Sequence, residues 1–377
     1  MRYLTADIVF TAFSPPIKQG VVVLNKDGTI EDVLYNKSIV NSQKLEYYEG
    51  ALCPGFINTH CHLELSHLKQ RLDEKTGLPE FIHQLVESRK MPKDVIFEAI
   101  EQADQIMINN GIVAVGDISN TSNTFALKQK SPIFYHTFIE LFSSDPNCAD
   151  SVFQNGLKLA KQCQSSYSIS PHANYSLSLE LFDHIKNHNS GQKISIHNQE
   201  TLSEDEMFLS GTGLLINKLT AKDFFVPTGK SALQSVLPLL PNSSILLVHN
   251  TYTKIQDIQF ALSQPKNVYW CTCPKANLYI ENALPNYQYF IDSNAKMTVG
   301  TDSLASNDTL SILEELKVIQ PYASLELLVE WACKNGAEFL ELDNLGSFQK
   351  GKSPGVNHIT NIIDGKLSSN SHVFPLN

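Results

Sequence analysis

Two histidines one residue apart, His60 and His62, end the run Pro54-Gly55-Phe56-Ile57-Asn58-Thr59-His60-Cys61-His62. On an extended strand alternate side chains share a face, so both imidazoles point the same way, about 6 to 7 Å apart, with Cys61 on the other side. Neutral imidazoles held like this can chelate one cation. A single pair of this kind is weak evidence in a chain with 12 histidines. The case is made further along, where His172, His197, His249 and Asp302 each follow closely on an apolar or small-residue stretch and Glu200 comes three residues after His197. A catalytic zinc-type ion takes three or four nitrogen and oxygen ligands and keeps a position for water, whose pKa it lowers to about 7. His60, His62, His197 and Asp302 can supply that set without a thiolate. Such a water needs a proton acceptor and the substrate a proton donor, and Glu200 is a carboxyl group placed for the exchange.

These residues need a scaffold that delivers them to one place. After Ala51 apolar strands alternate with longer amphipathic stretches. Strands are predicted at Ala51 to Ile57, Gly111 to Ile118, Pro132 to Phe138, Tyr167 to Ser170, Lys193 to Ile196, Ser244 to Val248, Asn267 to Cys271 and Met297 to Gly300. Helical patterns lie between them, such as Pro79 to Arg89, Asp94 to Asn109, Leu179 to Asn187, Ile255 to Ser263 and Leu310 to Ile319. Eight strands alternating with helices suggest an α/β domain with a parallel sheet. A closed (β/α)8 barrel takes about 250 residues, and residues 53–339 accommodate one. Before it, Asp7 to Ala12, Gly20 to Leu24 and Thr29 to Tyr35 read as short strands with a tight turn at Lys26-Asp27-Gly28. That segment is too short to bury a sheet alone, so the extreme C-terminus is its expected partner. The expected division is 1–52 and 340–377 for a small β domain, and 53–339 for the barrel.

Composition narrows the partners. The net charge is -10, from 39 acidic and 29 basic residues, and no Lys/Arg cluster stands out. Nucleic acid is therefore not an expected partner. The seven cysteines have no regular framework and the N-terminus lacks the apolar core of a signal peptide, which fits a reducing cytoplasm. No apolar run approaches the roughly 18 residues of a membrane span.

In combination and order, the His60-Cys61-His62 run, Ser170-Pro171-His172, His197-Asn198-Gln199-Glu200, Val248-His249 and Gly300-Thr301-Asp302-Ser303 resemble the amidohydrolase superfamily. Within it they resemble the metal-dependent aminohydrolases grouped with the chlorohydrolases and the nucleobase and nucleoside deaminases. The resemblance covers nearly the whole chain. It implies a distorted (β/α)8 TIM barrel with a small β-sandwich built from both chain ends, and one divalent metal, zinc or iron, held by His60, His62, His197 and Asp302. It further implies that Glu200 shuttles protons, that His249 with Asp302 activates the water, and that His172 contacts a small heterocyclic substrate. A homodimer is the assembly it suggests.

The binuclear members' carboxylated lysine has no counterpart here, since the fourth strand ends in His172 and no Lys lies between Gln164 and Ile185. A mononuclear site is expected. Cys271-Thr272-Cys273 lacks the Cys-x-x-Cys spacing of cytidine-deaminase-type zinc enzymes and reads as part of a buried strand. Cys273-Pro274-Lys275-Ala276-Asn277 resembles a Cys-Pro-x-Ser-Asn element of the family, which makes Asn277 a candidate for substrate contact or for holding the site together. His62-Leu63-Glu64-Leu65-Ser66-His67 resembles the branch containing aminodeoxyfutalosine deaminases, with Glu64 either a substrate contact or a structural carboxylate. Glu140 ends the third strand with no role assigned. His83, His184 and His188 read as solvated helix residues. The tail departs from the family, because Pro354 and Gly355 stand where a strand is usual.

The expected reaction is hydrolysis of a non-peptide C–N bond, with release of ammonia from a purine-type or other heteroaromatic amine. Hydrolysis of a cyclic amide or a triazine by the same site is the alternative within enzymes. A non-catalytic scaffold on the same barrel is the alternative outside them. Specificity is expected to lie in the loops Leu63 to Met91 and Thr201 to Gly229, where Arg71 and Arg89 sit in the first.

Overall fold

The computed structural model describes residues 1–189, 191–218 and 222–376. Eight parallel strands form two half-sheets of four. The first holds β1 (Phe56–Cys61), β2 (Ile112–Ser119), β3 (Phe134–Leu141) and β4 (Ser166–Pro171) in chain order. The second holds β5 (Ile194–Asn198), β6 (Ser244–His249), β7 (Asn267–Thr272) and β8 (Lys296–Val299). Seven of the eight lie where the sequence places them, shifted by a few residues at their ends; the first is the exception, since its predicted span covers two strands. Their residues are almost continuously buried because helices cover a parallel sheet on its outer side.

The half-sheets do not merge into one continuous ladder. They meet at two seams, each carrying a single parallel bridge: Ala173 opposite His197, and Cys61 opposite Asp302. At the first seam the amide of His197 donates to the carbonyl of His172 at 2.9 Å. At the second, the amides of Thr301 and Asp302 both donate to the carbonyl of His60 at 3.1 Å. The strands approach so closely there that a Cβ on Gly300 would lie 2.9 Å from the His60 carbonyl oxygen and from the Cys271 sulfur.

The chain ends share one seven-stranded sheet, built from Arg2–Val9, Ile17–Lys18, Val21–Leu24, Ile30–Leu34, Leu45–Pro54, Val356–Ile359 and Val373–Pro375. The predicted strand Ala51 to Ile57 is in fact two. Leu45–Pro54 belongs to this terminal sheet, the chain breaks at Gly55, whose amide bonds the Pro354 carbonyl at 3.1 Å, and β1 starts at Phe56. Pro354 and Gly355 do not spoil the tail either: they precede the strand Val356–Ile359, which pairs antiparallel with Leu45–Pro54. The tight turn at Gly28 is present, with φ +83°.

The loop after β1 carries two helices, Leu78–Ser88 and Lys93–Asn109. The first is fastened at its start, where the Leu78 amide donates to the Glu281 carboxylate at 2.7 Å. The turn after His62 is fastened by a buried ion pair. Asp117 accepts from the Leu63 amide at 2.8 Å and pairs with Lys128 at 2.5 Å, both side chains 0% exposed. Lys128 also donates to Ser119 and Thr137, so its three protons are all engaged.

Lys128→Met would strand the Asp117 charge in the core and is expected to cost about 3 to 5 kcal/mol in urea unfolding, with much of that loss recovered when Asp117→Asn is added. Gly300→Ala would force apart the second seam, and a loss of about 1 to 3 kcal/mol is expected in the same measurement.

Candidate active site

Each site residue sits at or just beyond the carboxyl end of a strand. His60 and His62 come from β1, His172 from the residue after β4, His197 and Glu200 from β5 and its exit, His249 from the end of β6, and Asp302 from the loop after β8. The backbone is bent to aim them. Gln199, His249, Asn250 and Asp302 adopt left-handed conformations, with φ of +44°, +70°, +57° and +56°. Such conformations persist where surrounding contacts over-determine them, and they cluster at functional sites.

Three imidazole nitrogens converge. Nε2 of His62 lies 3.2 Å from Nε2 of His60 and 3.2 Å from Nε2 of His197. Oδ1 of Asp302 lies 3.6 Å from Nε2 of His60 and 3.5 Å from Nε2 of His62. Burial lowers the pKa of all three histidines, so they are neutral, each with one bare ring nitrogen. Nδ1 of His197 donates to the His172 carbonyl at 2.6 Å, which leaves its Nε2 as a lone pair. His62 can offer at most one proton from Nε2, so hydrogen bonding cannot satisfy both of its short contacts. A cation among them can. Ligands about 2.1 Å from a tetrahedral ion stand about 3.4 Å apart, and the measured separations bracket that value. The donor set therefore fits a divalent metal. Burial alone would raise the Asp302 carboxyl, but His60, His62 and His249 hold it below the usual carboxylate range. Its other oxygen accepts from the Ser306 hydroxyl at 2.5 Å.

Glu200 and His249 lie beside this cluster, with 3.6 Å between the carboxylate and Nε2. Burial, with the charges of Asp302 and Glu281 adding to it, pushes the Glu200 carboxyl well above its usual range, so it can carry a proton near neutral pH. The segment is held by Glu204, which accepts from the amides of Gln199 at 2.9 Å and Glu200 at 2.7 Å and closes a capping box with Thr201. Asn277 accepts from Nδ1 of His249 at 2.8 Å and donates to its carbonyl at 3.3 Å. That pairing selects the tautomer and turns a bare Nε2 toward Glu200.

These groups face a cavity of about 260 Å³. Its floor is His62, His172, His197, Glu200, His249 and Asp302. One wall is apolar, from Leu65, Phe81, Ile82, Leu85, Phe142 and Tyr175, and three of these belong to the helix Leu78–Ser88. Apolar walls with a few convergent polar groups characterise small-molecule sites.

His60, His62, His172, His197, Glu200, His249 and Asp302 are thus brought together. Asn277 stands behind His249 and does not line the cavity, and neither does Glu64. Glu64 is buried and spends both oxygens inside the protein: one on Arg89 Nη2 at 2.6 Å, the other on Thr121 and the Asn120 amide. Arg89 does line the cavity; Arg71 does not. Cys271 and Cys273 are buried thiols 3.9 Å apart. His83 is half exposed, as expected, whereas His184 stacks on Phe153 with ring centres 5.1 Å apart. Residues 219–221 of the loop Thr201 to Gly229 lie outside the described residues.

Glu140 is the residue that sequence reasoning left unassigned. It lines the cavity from the end of β3, 3.7 Å from Nδ1 of His197, and burial pushes its carboxyl up to about 7. The signal was available, since it ends its strand as the histidines end theirs.

The chain is 25% identical to an adenosine deaminase of Helicobacter pylori over 319 residues, which are 80% of this chain and 77% of the relative. It superposes on the aminofutalosine deaminase of Helicobacter pylori in complex with methylthio-coformycin with a TM-score of 0.77 at 22% identity, covering 98% of this chain and 94% of that one. It superposes on the zinc-complexed atrazine chlorohydrolase of Arthrobacter aurescens with a TM-score of 0.73 at 16% identity, covering 95% and 86%. The likeness to these two structures is one of fold, an α/β architecture of the TIM-barrel type. A profile of the Amidohydrolase family matches residues 51–364. The chain belongs to the amidohydrolase family.

Proposed function

We infer that this protein is a metal-dependent aminohydrolase that releases ammonia from a purine-type or other heteroaromatic amine. Its family and its deaminase relatives support a hydrolase of carbon–nitrogen bonds other than peptide bonds. The observation that carries the reading is the pairing of a buried, protonatable Glu200 with His249 at 3.6 Å, beside the converged His60, His62, His197 and Asp302. Those four residues would hold one divalent ion, and the donor set suits zinc and ferrous iron alike. When bound, the ion supplies Lewis-acid activation of water.

The chain's own groups handle the protons. His249, with Asp302, takes the proton of the attacking water through its bare Nε2. Glu200 gives its proton to the ring nitrogen next to the amine-bearing carbon, takes one from the hydroxyl that the water has left on that carbon and passes it to the departing amine, and is then reprotonated by the proton held on His249. His172 contacts the substrate, and the apolar wall from Leu78–Ser88 excludes water from the ring. Asn277 and Glu64 act through other residues, on His249 and Arg89 respectively. In architecture, the two bridged half-sheets are read as a distorted (β/α)8 barrel ending near 339, and the small β domain beside it as 340–377 with the N-terminal segment, which runs to Pro54 and not to 52 because Leu45–Pro54 belongs to the terminal sheet. No helix among the described residues is long and apolar enough to cross a membrane.

The test is ammonia release by metal-analysed protein against adenosine-type nucleosides, aminodeoxyfutalosine, S-adenosylhomocysteine, guanine, cytosine and pterins. Release from a purine-type member is expected; silence across the panel would move the assignment to hydrolysis of a cyclic amide or triazine. Glu200→Gln should keep its metal and lose about 10²- to 10⁴-fold in kcat, and full activity in that variant would end the proton-shuttle assignment. Metal analysis should find about one divalent ion per wild-type chain, as a mononuclear site requires. His62→Ala should hold far less, and a chelator should lower the melting temperature of wild type but scarcely that of the variant.

A further inference from the structure

The cavity contains one acceptor that neither the proton chemistry nor the metal ligand set uses. Glu140 is buried, its side chain 4% exposed, and its two oxygens are treated differently by the protein. Oε2 accepts from Asn120 Nδ2 at 3.0 Å. Oε1 accepts no hydrogen bond among the described residues. The nearest donor, Nδ1 of His197, is 3.7 Å away and already committed to the His172 carbonyl at 2.6 Å. Oε1 is open to the cavity and has no donor among the described residues to satisfy it. Because Glu140 lines the cavity, a bound molecule can supply what the protein does not.

The orientation of that oxygen is imposed from outside the cavity. Glu64 grips Arg89 Nη2 at 2.6 Å, and the same Nη2 donates to Asn120 Oδ1 at 3.3 Å. With its oxygen so engaged, Asn120 must present its NH₂ to Glu140, where it bonds both the carbonyl, at 3.2 Å, and Oε2. The buried Glu64 is thus the far end of a relay, Glu64 to Arg89 to Asn120 to Glu140, that leaves one defined lone-pair edge facing the substrate. A ring nitrogen of His172 lies within 4.8 Å of a Glu140 carboxylate oxygen. His172 binds Ser176 through Nδ1 at 2.8 Å, and its Nε2 has no hydrogen-bond partner among the described residues.

We propose that Glu140 is a specificity-determining residue that accepts a hydrogen bond from a second donor on the substrate, an amino or hydroxyl group distinct from the amine that leaves. Asn120, Arg89 and Glu64 are positioning residues for it. The proposal rests on the aminohydrolase reading only for the identity of the leaving amine. It selects, among heteroaromatic amines, those that carry another N–H or O–H within reach of β3.

Glu140→Gln tests this with almost no change of shape. Asn120 donates to the inner position, so the amide of Gln would turn its oxygen inward and its NH₂ to the cavity, replacing an acceptor by a donor. Affinities of adenosine, 2′-deoxyadenosine, 3′-deoxyadenosine and 2,6-diaminopurine riboside would be measured by calorimetry on metal-loaded protein in which Glu200→Gln stops turnover, with Glu140 wild type or Glu140→Gln, and ammonia release would be followed separately with Glu200 intact. The variant should keep its metal and melting temperature. Removing the recognised donor from the ligand should weaken wild-type binding on the order of 10- to 100-fold and leave the variant's binding unchanged. Asn120→Ala, which keeps the carboxylate but frees it to rotate, should lose part of that discrimination. Equal affinities for wild type and Glu140→Gln across the four ligands, or a uniform loss on all four, would overturn the proposal. Selective binding without ammonia release would uphold Glu140 and defeat the deaminase reading instead.

Discussion

At both seams between the half-sheets, the backbone pairing runs through the carbonyl oxygen of a histidine. His60 accepts the amides of Thr301 and Asp302, and His172 accepts the amide and the ring N–H of His197. These bonds lie at the only places where single bridges join the half-sheets among the described residues. Closing the sheet and assembling the site are therefore one event. A strand that failed to reach its seam would leave His60 without Asp302, or His197 without the bond that bares its Nε2. The proximity of ligands from β1, β5 and β8 follows from backbone pairing at the seams.

Burial then sets the charges. In water the histidines would be partly protonated and Glu200 would be an anion. Out of water the imidazoles stay neutral and can converge to 3.2 Å, while Glu200 retains a proton. Asp302 stays ionised because its neighbours outweigh the cost of its burial. The left-handed turns at His249 and Asp302 are the accompanying backbone strain, maintained by the hydrogen bonds of Asn277 and Ser306.

Around this floor, supporting residues do the positioning. Asp117 with Lys128 holds the turn after His62, Glu204 holds Glu200, Asn277 holds His249, and Glu64 reaches Glu140 through Arg89 and Asn120. All are polar groups in a low-dielectric interior, where each needs its partners to be stable at all. The long loop after β1 adds the apolar wall.

Much of this was legible in the sequence. Residue type and strand period identified His60 and His62, since a period of two puts both on one face. Apolar runs ending in His, Glu or Asp located the other five residues of the floor, and alternating patterns located seven of the eight strands. The break at Gly55 was missed because Ala51 to Ile57 is uniformly apolar, and only contact with Pro354 divides it between two sheets. Glu64 and Glu140 show the deeper limit. Both are carboxylates close to a strand end, and nothing local separates one that faces the substrate from one that grips an arginine behind the wall. That choice is made by residues far apart in the chain, Arg89 at the end of the helix Leu78–Ser88 and Asn120 just after β2, because a side chain's partners depend on which elements pack against it. The sequence by itself determined which chemistry could be done and on what order of strands. The tertiary structure decided which oxygens and nitrogens remain unpaired at the cavity, and these are the atoms available for recognition.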